Sequence, residues 1–179
     1  MIRPVSLAAA LALILAPAFA LGADYALTDK NTTITFIGSK PGGKHEGGFK
    51  SVTGTATVTG NDLTTLKATL DIDMNSLYTD VDKLTTHLKS PDFFGVKSNP
   101  KSKFVSTKVE KSGDDYKVTG DFTMLGKTKS ITFPAKLAVT ADGLTMSSAF
   151  TIDRTQWGMT YGAGKVDNDV KLTISIKAK

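Results

Sequence analysis

Leu66-Lys67-Ala68-Thr69-Leu70-Asp71-Ile72-Asp73-Met74 is the stretch that decides the fold class. Apolar and polar side chains alternate along it, the two-residue period of a strand with one face buried. The same period recurs on both sides, in Thr33-Ile34-Thr35-Phe36-Ile37, Phe49 to Val58, Phe104 to Glu110, and Tyr116 to Met124. It continues through Ile131 to Val139, Leu144 to Ile152, and Val170 to Ile176. Asn61-Asp62, Ser112-Gly113-Asp114, Gly126 and Asp142-Gly143 supply turns between these runs. About eight strands joined by short turns predict an all-β fold, an eight-stranded antiparallel up-and-down barrel. No repeat or linker divides the chain, so one domain is expected.

Several local expectations accompany this assignment. Pro41-Gly42-Gly43 should break the first strand, and Gly47-Gly48 should leave a loose entry to the next. Gly54 reads as a bulge or bend. Pro134 inside a strand predicts an edge, a bulge or a bend there.

One stretch changes period. In Leu84-Thr85-Thr86-His87-Leu88-Lys89-Ser90-Pro91-Asp92-Phe93-Phe94, together with Val81, apolar residues recur at helical spacing. Thr79 and Asp82 fit a loose capping box, and Pro91 should stop the helix near Ser90. The helix and the loop after it are expected to close one end of the barrel. In an extended backbone Phe93 and Phe94 would point to opposite sides, one into the lumen and one under the helix.

Arg3, the apolar run Val5 to Ala16, and Ala18-Phe19-Ala20 form a secretory signal with a small-residue cleavage site. Residues 1–23 are therefore expected to be a leader and 24–179 the folded domain, periplasmic or secreted and soluble after cleavage. The chain has no cysteine, so neither disulfides nor a lipidated cysteine contribute. Its net charge of +5 is carried by lysines scattered singly, not by a stripe suited to nucleic acid.

Eight of the nine phenylalanines lie beyond the leader: Phe36, Phe49, Phe93, Phe94, Phe104, Phe122, Phe133 and Phe150. They can fill a packed core or line a cavity, since a barrel of eight strands accommodates either. His45 and His87 are the chain's two histidines. With no clustered ligands they predict no metal site, and no serine lies in a nucleophile motif. His87 with Asp82, and His45 with Glu46, are the acid–base pairs that spacing allows. Arg154 reads as a partner for an acid such as Asp121 or Asp153, sealing a barrel end, with a polar head group as the alternative. An outer-membrane barrel is excluded by the short strands, the missing aromatic girdles and the Lys177-Ala178-Lys179 end.

The order of motifs resembles the YceI family of bacterial periplasmic proteins. The resemblance is carried by Tyr25 with Asp29, Ile34-Thr35-Phe36, Gly48-Phe49 with Gly54, and Asp71-Ile72-Asp73-Met74-Asn75-Ser76 leading to Thr79. It continues through His87-Leu88-Lys89-Ser90-Pro91-Asp92-Phe93-Phe94, Pro100 with Phe104, and Val118-Thr119-Gly120-Asp121-Phe122-Thr123-Met124-Leu125-Gly126. Ile152-Asp153-Arg154 and Trp157-Gly158-Met159 complete it.

The resemblance implies a lipocalin-like barrel holding a polyisoprenoid or isoprenoid quinone in an apolar cavity. It implies a lipid-transport protein rather than an enzyme, with no cofactor and with transient membrane contact for lipid exchange. An enzyme acting on a lipophilic substrate in the same cavity is the alternative. The ligand-binding residues so implied are the eight phenylalanines above together with Leu70, Ile72, Met74, Leu84, Leu88, Trp157 and Met159. Ser39-Lys40-Pro41-Gly42-Gly43-Lys44-His45-Glu46 is richer in glycine than the family's corresponding strand end, which implies a different mouth.

Overall fold

The computed structural model describes residues 22–179. The expected leader thus lies almost wholly outside the described residues, although Gly22 and Ala23 already belong to the first strand. Eleven strand segments form one antiparallel sheet. They are β1 (Gly22–Thr28), β2 (Thr32–Lys40), β3 (Gly43–Phe49), β4 (Val52–Thr59), β5 (Asp62–Asp73), β6 (Leu77–Thr79), β7 (Lys101–Ser112), β8 (Asp115–Met124), β9 (Lys127–Thr140), β10 (Gly143–Asp153) and β11 (Asp169–Ala178). The helix α1 (Asp82–Lys89) lies between β6 and β7.

Eleven segments and eight expected strands agree once the bends are followed. β1 pairs with β4 and β2 with β3, while β4 pairs with β5 and β3 with β6, all antiparallel. β1–β2, β3–β4 and β5–β6 are therefore three strands, each bent once. β11 pairs with β2 and closes the ring. The result is an up-and-down barrel of eight strands, a size whose interior either fills with side chains or holds one small ligand.

Cross-strand rows show how the interior is built. Gly47, Phe36, Leu172 and Phe150 are successive partners across β3, β2, β11 and β10. Phe49, Ile34, Ile174 and Ser148 form the next row. Outward positions such as Lys171, Thr173 and Lys177 are exposed. Apolar inside and polar outside is the reverse of a membrane barrel. Among the described residues no helix is long and apolar enough to cross a membrane.

Two glycine expectations are corrected. The glycine-rich stretch after Pro41 is not loose, because β3 runs through Gly47 and Gly48. A Cβ on Gly47 would meet the Phe36 ring at 2.5 Å and the Tyr78 carbonyl oxygen at 2.6 Å. The missing side chains let the Phe36 ring and the neighbouring strand lie close against the backbone. Gly54 likewise marks a close approach to β5 rather than a bulge, its Cβ position falling on the Thr69 carbonyl.

Pro134 does mark an irregularity. The β9–β10 ladder runs from Gly143↔Thr140 to Ser147↔Lys136 and stops there. The Ser148 hydroxyl donates to the Pro134 carbonyl at 2.5 Å, taking the place of a ladder bond. Beyond this point a second apolar cluster bridges the two strands. Phe93, Met124, Trp157 and Met159 form it, with Ile131 of β9 and Ile152 of β10 packed against it.

Candidate functional site

The strand directions place α1 with its following loop, the β2–β3 turn, the β8–β9 turn and the 154–168 connection all at one end of the barrel. Beneath them a cavity of about 330 Å³ extends down the axis. Its wall carries apolar residues from β2, β3, β5 and β7 to β11, with Phe36 and Ile152 toward the mouth and Leu66, Val118 and Ile176 toward the far end. Two chains of ring contacts run along it. Phe36 meets Phe49 at 5.9 Å, and Phe49 meets Phe94 edge-on at 6.3 Å. Phe104 meets Phe133 at 5.6 Å, and Phe133 stacks on Phe150 at 4.4 Å.

Of the residues expected to contact ligand, Phe36 and Phe49 line the cavity from β2 and β3, and Leu70 and Ile72 from β5. Met74 lines it from the turn after β5, and Leu84 and Leu88 from α1. Phe104, Phe122, Phe133 and Phe150 line it from β7, β8, β9 and β10. Met159 lines it from the loop before β11, and Phe93 and Phe94 from the closing segment. Trp157 does not. Its ring packs behind Phe122 at 5.4 Å, and its indole N–H donates to the Phe122 carbonyl at 3.0 Å. An indole needs a partner for that N–H when buried, and here a strand carbonyl supplies it.

The closing segment departs from expectation in two ways. The capping box is absent: Val81 is the N-cap and gives no side-chain bond. Instead the Thr79 and Thr85 hydroxyls pair at 2.8 Å, and Val81 is left 42% exposed. Nor is the backbone extended at Phe93 and Phe94. It turns back on the helix, so that the amides of Phe94, Val96 and Gly95 take the carbonyls of Leu88, Lys89 and Ser90. Carbonyls orphaned at the helix end are thereby satisfied. Both rings consequently reach the cavity. Phe93 is buried among Met124, Trp157 and Met159, whereas Phe94 leans on the barrel core through Phe49.

The rim is polar. His45 Nδ1 lies 3.0 Å from Asp80, and His87 Nε2 lies 3.0 Å from Asp92. The pairs are thus not the ones sequence spacing suggested, because the β3–β6 ladder brings Asp80 to His45 and the turn at Pro91 swings Asp92 under His87. His87 also meets the rings of Phe93 and Tyr161 edge-on, each at 5.1 Å. Among the described residues no group of three or more His, Cys, Asp or Glu could hold a metal.

Arg154 is buried and binds no carboxylate among the described residues. It donates to the carbonyls of Met159 at 2.7 Å, Asp167 at 3.0 Å and Val166 at 3.2 Å. It thereby bolts together both ends of the 159–167 loop. Burial pushes the guanidinium pKa down from its ordinary value, and the Asp153 charge partly opposes this. Asp153 instead accepts from the Thr155 hydroxyl and amide, which hold its carboxyl below its ordinary value. Asp121 stays exposed on β8.

The inward alternation of β2 and β11 also carries Ile34, Leu172, Ile174 and Ile176 into the wall, and the sequence pattern was sufficient to place them there. Tyr161 and Val166 reach it from an irregular loop for which sequence offered no signal.

A YceI-like domain model matches residues 25–178. The chain belongs to the YceI family. It is 31% identical to a UPF0312 protein of Serratia proteamaculans over 178 residues, spanning 93% of this chain and 91% of that protein. It is 32% identical to a UPF0312 protein of Pectobacterium atrosepticum, a match that spans 61% of the relative's length. Against the protein YceI of Salmonella arizonae it is 31% identical, covering 73% of this chain and 72% of the relative.

Solved structures share the YceI fold. BcnA of Burkholderia cenocepacia superposes with a TM-score of 0.70 at 22% identity, over 81% of this chain and 94% of that one. A polyisoprenoid binding domain from Saccharophagus degradans gives 0.67 at 14% identity, over 87% and 98%.

Proposed function

We infer that this protein binds and carries a long isoprenoid lipid, a polyprenyl chain or an isoprenoid quinone, in the barrel lumen. The observation that carries this reading is an elongated cavity with an apolar wall and a polar rim at one end. A polyprenyl tail has no polar atoms, so its burial drives binding at about 25 cal/mol per Å² before ordering costs. Aromatic and methionine side chains suit such a tail because they offer broad, adaptable contact. Family membership and the ligand named for the Saccharophagus domain support the same class.

The leader-like N-terminus supports a periplasmic or secreted setting, where transient membrane contact would load and unload the lipid. The proposed activity is binding, with no cofactor and no covalent step. Native mass spectrometry of protein purified from periplasm without detergent tests this. A bound isoprenoid of defined mass, recovered unchanged on denaturation, is the expected result. An empty barrel that also fails to take up added polyprenol overturns the reading. Recovery of a chemically altered lipid after incubation supports the enzyme instead.

A further inference from the structure

Four polar or charged residues are counted among the buried set: Thr32, Ser102, Ser148 and Arg154. Three are satisfied within the fold. The Thr32 hydroxyl donates to Asn31, Ser148 bonds the Pro134 carbonyl, and Arg154 holds its three carbonyls. Ser102 differs. It is 3% exposed and lines the cavity, and its hydroxyl has no hydrogen-bond partner among the described residues. Among the described residues no buried side-chain oxygen is both sealed and unpartnered. The Ser102 oxygen is therefore open, and since the residue is hidden from outside, it opens into the lumen.

Its surroundings limit what it can bind. Ser102 sits one residue into β7, at the mouth end of the barrel, and lines the same cavity as Phe93 and Phe94. Its cross-strand partner is Ile72, and the next inward residue on its own strand is Phe104. A charged head group among these walls would lose hydration without an ion partner, a cost far larger than one hydroxyl offsets. An uncharged hydroxyl or carbonyl oxygen meets no such penalty and can pair with Ser102 as donor or acceptor.

We propose that Ser102 is a ligand-binding residue that hydrogen-bonds an uncharged oxygen of the carried lipid. The polar end of the ligand then lies beneath the closing segment and its tail runs toward Leu66 and Ile176. This rests on the isoprenoid-carrier reading and adds the chemistry and orientation of the head.

The test pairs Ser102→Ala with two probes of one carbon skeleton, farnesol and the hydrocarbon farnesene, using displacement of N-phenylnaphthylamine from delipidated full-length protein. Ser102→Ala should weaken farnesol by about five- to tenfold, the worth of one hydrogen bond. It should leave farnesene unchanged or slightly tighter. Equal shifts for both probes, or an unchanged farnesol affinity, overturn the proposal. If neither probe binds the wild-type protein, the carrier reading falls and this assignment falls with it. If both bind and Ser102→Ala changes neither, the carrier reading stands and only the head-group assignment is lost.

Discussion

The lumen and the small cluster beneath the closing segment are built from the same residue types, yet one surrounds the cavity and the other packs at its edge, with Trp157 behind the wall that Phe93, Met124 and Met159 present. In the lumen, side chains from β2, β3, β5 and β7 to β11 converge on an axis, and the spacing of eight strands leaves more room there than they fill. In the small cluster, Phe93, Met124, Trp157 and Met159 arrive from a turn, a strand end and a loop, so no regular spacing holds them apart.

The strongest way to break this comparison is Trp157→Ala. The residue is 1% exposed and its N–H is bonded, so the variant should lose about 5 kcal/mol, the top of the range for a buried aromatic. Urea unfolding measures it. A loss below about 2 kcal/mol would mean that the cluster is no more tightly packed than the lumen.

Phe93→Ala and Phe94→Ala divide the boundary between the two regions. Phe93 is buried in the small cluster and should cost about 3 kcal/mol. Phe94 is only partly buried and should cost about 1–2 kcal/mol while loosening the bound lipid. Thermal unfolding and lipid binding on delipidated protein give both readouts, and a reversed order of stability would reverse the assignment.

Ile174→Phe probes the lumen from the other side. Overpacking a filled core costs about 1–3 kcal/mol, whereas an open lumen should accept the larger ring for less than about 1 kcal/mol and bind lipid more weakly. A Tm drop without any change in binding would show that the lumen at this level is already full.

The smallest effect concerns acid. Asp153 is held below its ordinary value of 3.8, chiefly by Thr155. A carboxyl whose folded pKa is depressed contributes stability above its unfolded value and loses that contribution as pH falls through the folded one. The stability gap between wild type and Asp153→Asn should therefore hold at neutral pH and narrow below the ordinary value. A gap independent of pH would assign Asp153 a purely steric role.

How far the sequence could be read follows the same division. The alternation in Leu66 to Met74 and in Val170 to Ile176 was enough to identify the strands, their inward faces and the aromatic wall, because a period of two is a local property. The bends that split three strands into pairs were not legible, since they depend on which neighbour each half meets. Gly47 looked like a loop residue because what it accommodates, the Phe36 ring, lies on another strand. His45–Asp80 and His87–Asp92 were missed for a like reason: a ladder and a turn set those pairs, not spacing along the chain. Phe93 and Phe94 were assigned opposite directions on the assumption of an extended backbone. The structure instead spends those residues in a turn that caps α1.

Arg154 recognises main-chain carbonyls at Met159, Val166 and Asp167, not the side chains of the loop it fastens. Carbonyls are the same for every amino acid, so Arg154 itself constrains none of the side chains between its anchor points, and within 160–165 the positive φ of Gly162 and Gly164 is what favours glycine at those two positions. The Tyr161 loop is therefore the part of this mouth best suited to diverge between relatives or to be redesigned. A library confined to residues 160, 161, 163 and 165 would retune access to the lumen on an unchanged barrel.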